Sequence, residues 1–170
     1  TWADLANFDR VVSQETRLGQ YVPQDAIANV RGSLGRQQAQ QRLVEWACSL
    51  MRCDRASIFL VDVKTEELVI HGTSGAGTRI PLAAGIAGIS ATTGEYLLVN
   101  DPYNDPRFEV SVDKDLGYVT RSILSVPIFT DGSVVVGVLQ YINKDHAEGF
   151  DAPGTAHRDL RMAKEFAMLA

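Results

Sequence analysis

Arg121-Ser122-Ile123-Leu124-Ser125-Val126-Pro127-Ile128-Phe129 is followed, after Thr130-Asp131-Gly132, by Ser133-Val134-Val135-Val136-Gly137-Val138-Leu139-Gln140-Tyr141-Ile142. Two strand-length runs rich in β-branched residues around an Asp-Gly pair are a strong short-range signal for a hairpin. Both runs are nearly continuously apolar, so both faces of the sheet they build are covered. At a period of two, Val134, Val136, Val138, Gln140 and Ile142 share one face, which sets a long amide among valines. A buried amide must find partners or cost about 1–3 kcal/mol. Its partner is either a group of the protein's own backbone or the polar edge of a ligand.

Upstream, Tyr96 to Val99 reads as another strand, and Asn100 to Gly117 as a long polar loop broken by Pro102 and Pro106. A loop of that length inside a compact domain is usually functional, often a lid. Gly85-Ile86-Ala87-Gly88-Ile89-Ser90-Ala91 reads as a helix start closed by Thr92-Thr93-Gly94, and Arg79-Ile80-Pro81 as a short extended piece at a sheet edge. Ala56 to Val61 and Leu68 to His71, joined by Lys64-Thr65-Glu66, form a first hairpin. Gln37 to Met51 is a helix with Ala39, Leu43, Ala47 and Leu50 on one stripe and glutamines 37, 38, 40 and 41 on its wet face.

Downstream, a helix from about Thr155 turns Leu160, Ala163, Phe166 and Ala167 inward. The order helices, hairpin, small helix and loop, hairpin, helix defines an α+β domain on an antiparallel sheet. That domain spans 36–170. Residues 1–35 form an N-terminal helical leader or linker, in which Trp2, Leu5, Phe8 and Val12 recur at helical spacing. A chain that starts at Thr1 and stops inside a helical pattern is expected to be a piece of something longer.

The length of 170 residues, with 45% hydrophobic and 22% charged, suits a single domain that needs no disulfide or metal staple. A net charge of −5 argues against nonspecific binding to nucleic acid or to an anionic membrane. Apolar runs such as Ser133 to Leu139 fall far short of the ~20 residues of a membrane span. Cys48 and Cys53 have neither C-x-x-C nor zinc-knuckle spacing; they read as two small hydrophobes in a reducing, hence cytoplasmic, compartment.

Catalysis is hard to assemble. His71, His146 and His157 fall on a strand, a turn and a helix start, with no G-x-S-x-G elbow and no metal-ligand spacing. The loop carboxylates Asp101, Asp105, Glu109, Asp113 and Asp115 include no evident acid–base pair. Binding is the better reading. Gly85 to Gly88 place backbone N–H groups at a helix start, where glycine permits close approach and the N-terminus favours an anion such as phosphate. Ser57, beside apolar neighbours on its strand, also needs a hydroxyl partner, either a nearby carbonyl or a ligand.

Cys53-Asp54-Arg55-Ala56-Ser57-Ile58-Phe59-Leu60-Val61-Asp62, Ile80-Pro81 with Gly85-Ile86-Ala87-Gly88, and Asn104-Asp105-Pro106-Arg107-Phe108 carry a family resemblance. So do Gly117 to Ile128 and Gly137-Val138-Leu139-Gln140-Tyr141-Ile142-Asn143-Lys144. Over residues 36–170 the chain resembles a GAF domain, most of all the regulatory GAF domains of cyclic-nucleotide phosphodiesterases and cyanobacterial-type adenylyl cyclases. The resemblance implies a central, roughly six-stranded antiparallel sheet with helices packed on one face and a ligand pocket on the other. It implies that Ile86 and Ala87 offer N–H groups to a cyclic phosphate, and that Asp113 and Thr120 line the ribose and phosphate side. Ser57, Ser74 and Gln140 would face the base, with Val112 and Glu109 closing over it. Asn143, Lys144 and Phe150 would brace the lid.

The chain departs from the family pattern in places. Thr73 and Ser74 stand where many members hold the purine with an aromatic and an Asp, Glu109 where an aromatic often stacks, and Leu116 where a threonine reaches the ligand. The acidic pair expected to partner Lys144 falls on Gly154 and Thr155, leaving Asp151 or Asp159 to substitute. An amide carries donor and acceptor, so Gln140 suits adenine or, flipped, guanine. The similar domains that bind cyclic AMP use Gln there, which favours cAMP over cGMP. The expectation is therefore a non-enzymatic sensor with no cofactor beyond its cyclic nucleotide, controlling an attached phosphodiesterase or cyclase domain. It is expected to form a homodimer through its terminal helices, without nucleic acid or membrane partners. The rival expectation is a ligand-free GAF domain that serves dimerisation. Free methionine sulfoxide reductases and bilin-binding domains share the fold but need pocket cysteines, and Cys48 and Cys53 are expected to precede the first strand.

Overall fold

The computed structural model describes residues 36–72, 77–130, 133–151 and 157–168. In chain order these form α1 (Arg36–Met51), β1 (Cys53–Asp62), β2 (Glu67–Gly72), β3 (Arg79–Pro81), α2 (Gly85–Thr93) and β4 (Leu97–Val99). A 3-10 turn (Pro102–Asn104), α3 (Val110–Leu116), β5 (Ile123–Phe129), β6 (Val135–Lys144) and α4 (Arg158–Ala167) follow. The six strands make one sheet in the order β3-β2-β1-β6-β5-β4, every neighbouring pair antiparallel.

The hairpin that decides the fold lies inside that order. β6 pairs with both β1 and β5, and its side chains from Gly137 to Tyr141 are all buried. Two prolines mark where pairing ends. Pro81 lies on the edge strand β3, and Pro127 sits past the last residue of β5 that three-residue β4 reaches, so its missing N–H breaks no ladder bond. The Asp131-Gly132 turn lies outside the described residues, but Thr130 N–H donates to the Val134 carbonyl at 2.9 Å and closes the hairpin.

Alternation along the strands sends two side-chain sets to opposite faces. On one face Ala56, Ile58, Leu124, Val126, Leu139 and Tyr141 pack against α1 and α4, through Val44, Ala47 and Met51 of the first helix and Leu160, Ala163 and Phe166 of the second. On the other, Phe59, Leu68 and Val138 pack against Ala87 and Ala91 of the short α2, and Ile123 and Val99 against its Ile86. No helix among the described residues is long and apolar enough to cross a membrane.

Several sequence expectations shift. Among the described side chains of α1 the buried ones are Val44, Ala47 and Met51, with Leu50 only half-buried; the expected stripe residues Ala39 and Leu43 lie outside them. Val134 and Val136 do not join Val138 in the core: a register irregularity between Ile128 and Phe129 turns that end of the hairpin out, leaving Val134 61% exposed. The stretch from Asn100 to Gly117 is not all loop. Glu109 caps α3 by accepting from the Ser111 N–H, and Gly117, at φ 59°, ends it.

Candidate ligand-binding site

Strand register assembles the floor of the site. Ser57, Gln140 and Ser125 lie directly opposite one another across β1, β6 and β5. This polar row is flanked on one side by Phe59, Val138 and Pro127 and on the other by Arg55, Ile142 and Ile123. Gln140, 8% exposed, donates from Nε2 to the Ser125 Oγ at 2.9 Å. The amide's partner is thus a side chain one strand away rather than the backbone. Among the described residues no donor reaches its Oε1. Ser57 is half-buried beside it.

The first turn of α2 crosses this row, since Ala87 packs on Phe59 and Val138 while Ile86 packs on Ile123. Ala84 at the N-cap supplies no side-chain cap, and the Gly88 N–H is the first to reach a helical carbonyl, that of Ala84 at 3.1 Å. The N–H groups of Ile86 and Ala87 therefore precede the helix's own hydrogen-bond ladder. Gly88 is what lets the turn fold so tightly, because a Cβ there would stand 2.5 Å from the Leu82 carbonyl oxygen.

Residues 100–120, which follow β4, carry a set of bonds among themselves. Asp113, 5% exposed, accepts from the Thr120 N–H at 2.7 Å, the Thr120 hydroxyl at 2.8 Å and the Tyr103 hydroxyl at 2.8 Å. Tyr103 stacks edge-on against Phe108, which packs with Ile86, Val99 and Ile123. Glu109 holds the Ser111 hydroxyl at 2.7 Å, and Val112 is 51% exposed. In this state Asp113, Thr120 and Glu109 are engaged in the segment's own bonding. Ser74 and Thr73 lie outside the described residues.

The base of that segment is pinned by Asn143, which is fully buried with φ 58°. Its Oδ1 accepts from the Arg121 N–H at 2.6 Å and the Ser122 N–H at 3.3 Å. Its Nδ2 stands 2.9–3.0 Å from the Asp54 carboxylate, the Tyr118 hydroxyl and the Val119 carbonyl, more acceptors than it has protons. Tyr118 in turn donates to Asp54 at 3.2 Å and lies under the Arg55 guanidinium, 3.7 Å from its ring centre. Burial, with the Asp54 charge, pushes the Tyr118 phenol up to about 12.

Lys144 faces the opposite side of the sheet. Its Nζ donates to the Met51 carbonyl at 2.6 Å and to Asp159 Oδ1 at 2.8 Å. Of the two acids considered from sequence, Asp159 is the partner. Asp151 caps α4 instead, accepting from the Asp159 N–H at 2.8 Å and the Leu160 N–H at 3.3 Å. Phe150 is fully buried against Tyr141. Asn100 holds it in place, donating to the Phe150 carbonyl at 2.9 Å and accepting its N–H at 3.0 Å.

Sequence reasoning missed Ser125, Tyr103, Tyr118, Asp54 and Asn100. Ser125 was within reach, because the hairpin register sets it opposite Gln140. The others act across sequence gaps of up to 89 residues that no local pattern reveals.

The GAF-domain family model matches residues 35–170, and the chain belongs to that family. It is similar to a probable 3',5'-cyclic phosphodiesterase, pde-5, of Caenorhabditis elegans, at 36% identity over 118 residues, covering 61% of this chain and 16% of that protein. It is also similar to the dual 3',5'-cyclic-AMP and -GMP phosphodiesterase 11A of Takifugu rubripes, at 28% identity over 134 residues, covering 71% of this chain and 15% of that protein. The chain thus spans about one-sixth of these relatives' lengths.

Among solved structures it superimposes on the GAF domain of an Acinetobacter phosphoenolpyruvate-protein phosphotransferase, with TM-score 0.65, 17% identity and 91% and 94% of the two chains covered. The free methionine-R-sulfoxide reductase of Neisseria meningitidis matches with TM-score 0.65, 22% identity and coverage of 92% and 90%. GAF domains are in general regulatory sensors, but that second neighbour is an enzyme, so the fold alone does not decide between sensing and catalysis.

Proposed function

We propose that this domain is a sensor that binds a cyclic nucleotide between the first turn of α2, the Ser57–Gln140–Ser125 row and the 100–120 segment. The observation that carries the reading is the uncapped start of α2 above that polar row. The N–H groups of Ile86 and Ala87 suit a cyclic phosphate, where the helix dipole adds to their hydrogen bonds. The polar row suits a base edge. With its Nε2 on Ser125, Gln140 presents an oxygen that can accept from the amino group of adenine or from the donors of guanine, and cAMP is favoured over cGMP because the similar domains that bind cyclic AMP use Gln there. Relatives named as cyclic-nucleotide phosphodiesterases support the same ligand class and an attached phosphodiesterase domain as the regulated partner, a cyclase domain resting on the family resemblance alone.

Binding would exchange internal bonds of the lid for ligand contacts. Asp113 and Thr120 would turn to the ribose and phosphate, and Val112 and Glu109 would close over the base. Asn143, Lys144 and Phe150 would hold the hinge ends in either state, and the helices at the ends of the domain would carry the change outward as a population shift. Amide hydrogen exchange of residues 100–120, with and without saturating cAMP, tests this. Slower exchange there is expected; unchanged exchange at saturation refutes the lid.

A second reading, a cytoplasmic homodimerisation module, is favoured by a different feature. A groove of about 740 Å³ opens between α4 and the β4–β5 edge, lined by Tyr96, Val126, Pro127, Phe129, Lys164 and Met168 among others. Tyr96, Phe129 and Met168 are about half exposed or more. If this reading holds alone, Phe129→Glu lowers the molar mass in solution and no cyclic nucleotide binds.

A further inference from the structure

Cys48 lies in the last turn of α1 and Cys53 opens β1, on the helix-covered face of the sheet, opposite the polar row. Arg52 between them has φ 50°, the left-handed conformation that turns helix into strand within one residue and brings the two side chains together. Their Sγ atoms are 3.7 Å apart. The Cys48 thiol donates to the Cys53 carbonyl at 3.0 Å, and the Cys53 thiol is within reach of the Arg55 carbonyl at 3.3 Å and of the Cys48 sulfur. Both residues are half-buried, packed against the core rather than sealed within it. Reading them as two small hydrophobes accounts for their packing but not for sulfur facing sulfur.

We infer that Cys48 and Cys53 are a reversible dithiol site that closes to a disulfide by exchange with a low-molecular-mass disulfide of the glutathione type. The Cys48 thiolate attacks one sulfur of the small disulfide, whose S–S bond breaks, and the released thiolate takes up a proton. The Cys53 thiol then loses its proton and attacks the Cys48 sulfur, expelling the second small thiol. Two protein thiols are oxidised by two electrons and one disulfide is reduced to two thiols. The order of attack follows from the hydrogen bond between them: the Cys53 S–H holds the Cys48 thiol below its usual range and is itself pushed up. In a reducing compartment a pair of this kind acts as a sensor rather than a permanent staple. The ring that closes contains Met51, whose carbonyl anchors Lys144, so oxidation acts on the brace of α4 and β6.

Equilibrate the full chain in mixtures of reduced and oxidised glutathione, quench with acid, alkylate and digest with trypsin. Cleavage after Arg42, Arg52 and Arg55 separates a peptide carrying Cys48 (43–52) from one carrying Cys53 (53–55). The expected product is the two peptides joined, lighter by two hydrogens than their sum and split by dithiothreitol. Cys53→Ser should trap Cys48 as the glutathione mixed disulfide, and Cys48→Ser should slow thiol loss about tenfold. Free, alkylated cysteines at every mixture, or both glutathionylated with no joined peptide, would overturn the proposal. The unmodified chain decides this even if a variant does not fold.

Discussion

Asp159→Asn is the most informative single change outside the pocket. Asp159 is 5% exposed, and its two oxygens hold Lys144 Nζ at 2.8 Å and the Asp151 N–H at 2.9 Å. An asparagine can accept at only one of those positions and turns an NH2 towards a donor at the other. The lysine left behind has a side chain only 15% exposed, with the Met51 carbonyl as its remaining partner. Stranding one member of a buried pair costs about 3–5 kcal/mol, and the retained carbonyl bond sets this case near ~3 kcal/mol. In a domain of this size ~2–4 °C accompanies each kcal/mol, so the melting temperature should fall by about 6–12 °C. Lys144→Met should cost a similar amount. Because each single change destroys the same bond, the double variant should lose about 2 kcal/mol less than the sum of the two single losses. Urea and thermal unfolding followed by far-ultraviolet circular dichroism measure all three. Singles within ~0.5 kcal/mol of the parent chain, or losses that simply add, would refute the pairing argument.

Gly88→Ala should destabilise by about 1–3 kcal/mol, because the new methyl meets the Leu82 carbonyl oxygen at 2.5 Å and the Ala83 carbonyl carbon at 2.8 Å; a urea midpoint equal to the parent's would contradict this. Gln140→Leu should cost only about 1 kcal/mol of stability, through the lost Ser125 bond, but lower cAMP affinity by about tenfold to hundredfold. Unchanged affinity would remove Gln140 from the site. The half-buried Tyr118 should ionise well above the usual range of a phenol. Its folded pKa is raised from 10.0 to about 12, so its stabilisation is complete below pH 10 and fades as pH climbs through 12. The phenolate difference spectrum between the parent and Tyr118→Phe should therefore titrate near 12, and a midpoint near 10 would show that burial and Asp54 do not act on it.

The fold was legible wherever a local pattern decides it. Two β-rich runs around Asp131-Gly132, the proline at the end of β3 and the glycine closing α2 each act within a few residues, and each reading survives in the sheet. Val134 and Val136 failed because period two assumes an unbroken register, and one irregularity beside Phe129 turned them to solvent. The helix at Val110–Leu116 was hidden because its cap is a glutamate two residues from the serine it holds, amid prolines and acids that read as loop. In the site, Gln140 was found because a polar residue among valines demands a partner. Which partner it takes depends on strand order, as does the choice of Asp159 over Asp151 for Lys144. The facing of Cys48 and Cys53 depends on the φ of a single arginine, which composition does not encode.

The central claim is that a cyclic nucleotide binds between the first turn of α2 and the Ser57–Gln140–Ser125 row. Titration calorimetry of the chain, unfolded and refolded to strip retained nucleotide and then offered cAMP and cGMP separately, tests it most directly. The account predicts saturable binding of cAMP at micromolar concentration or tighter, with cGMP weaker. No heat with either nucleotide would contradict it.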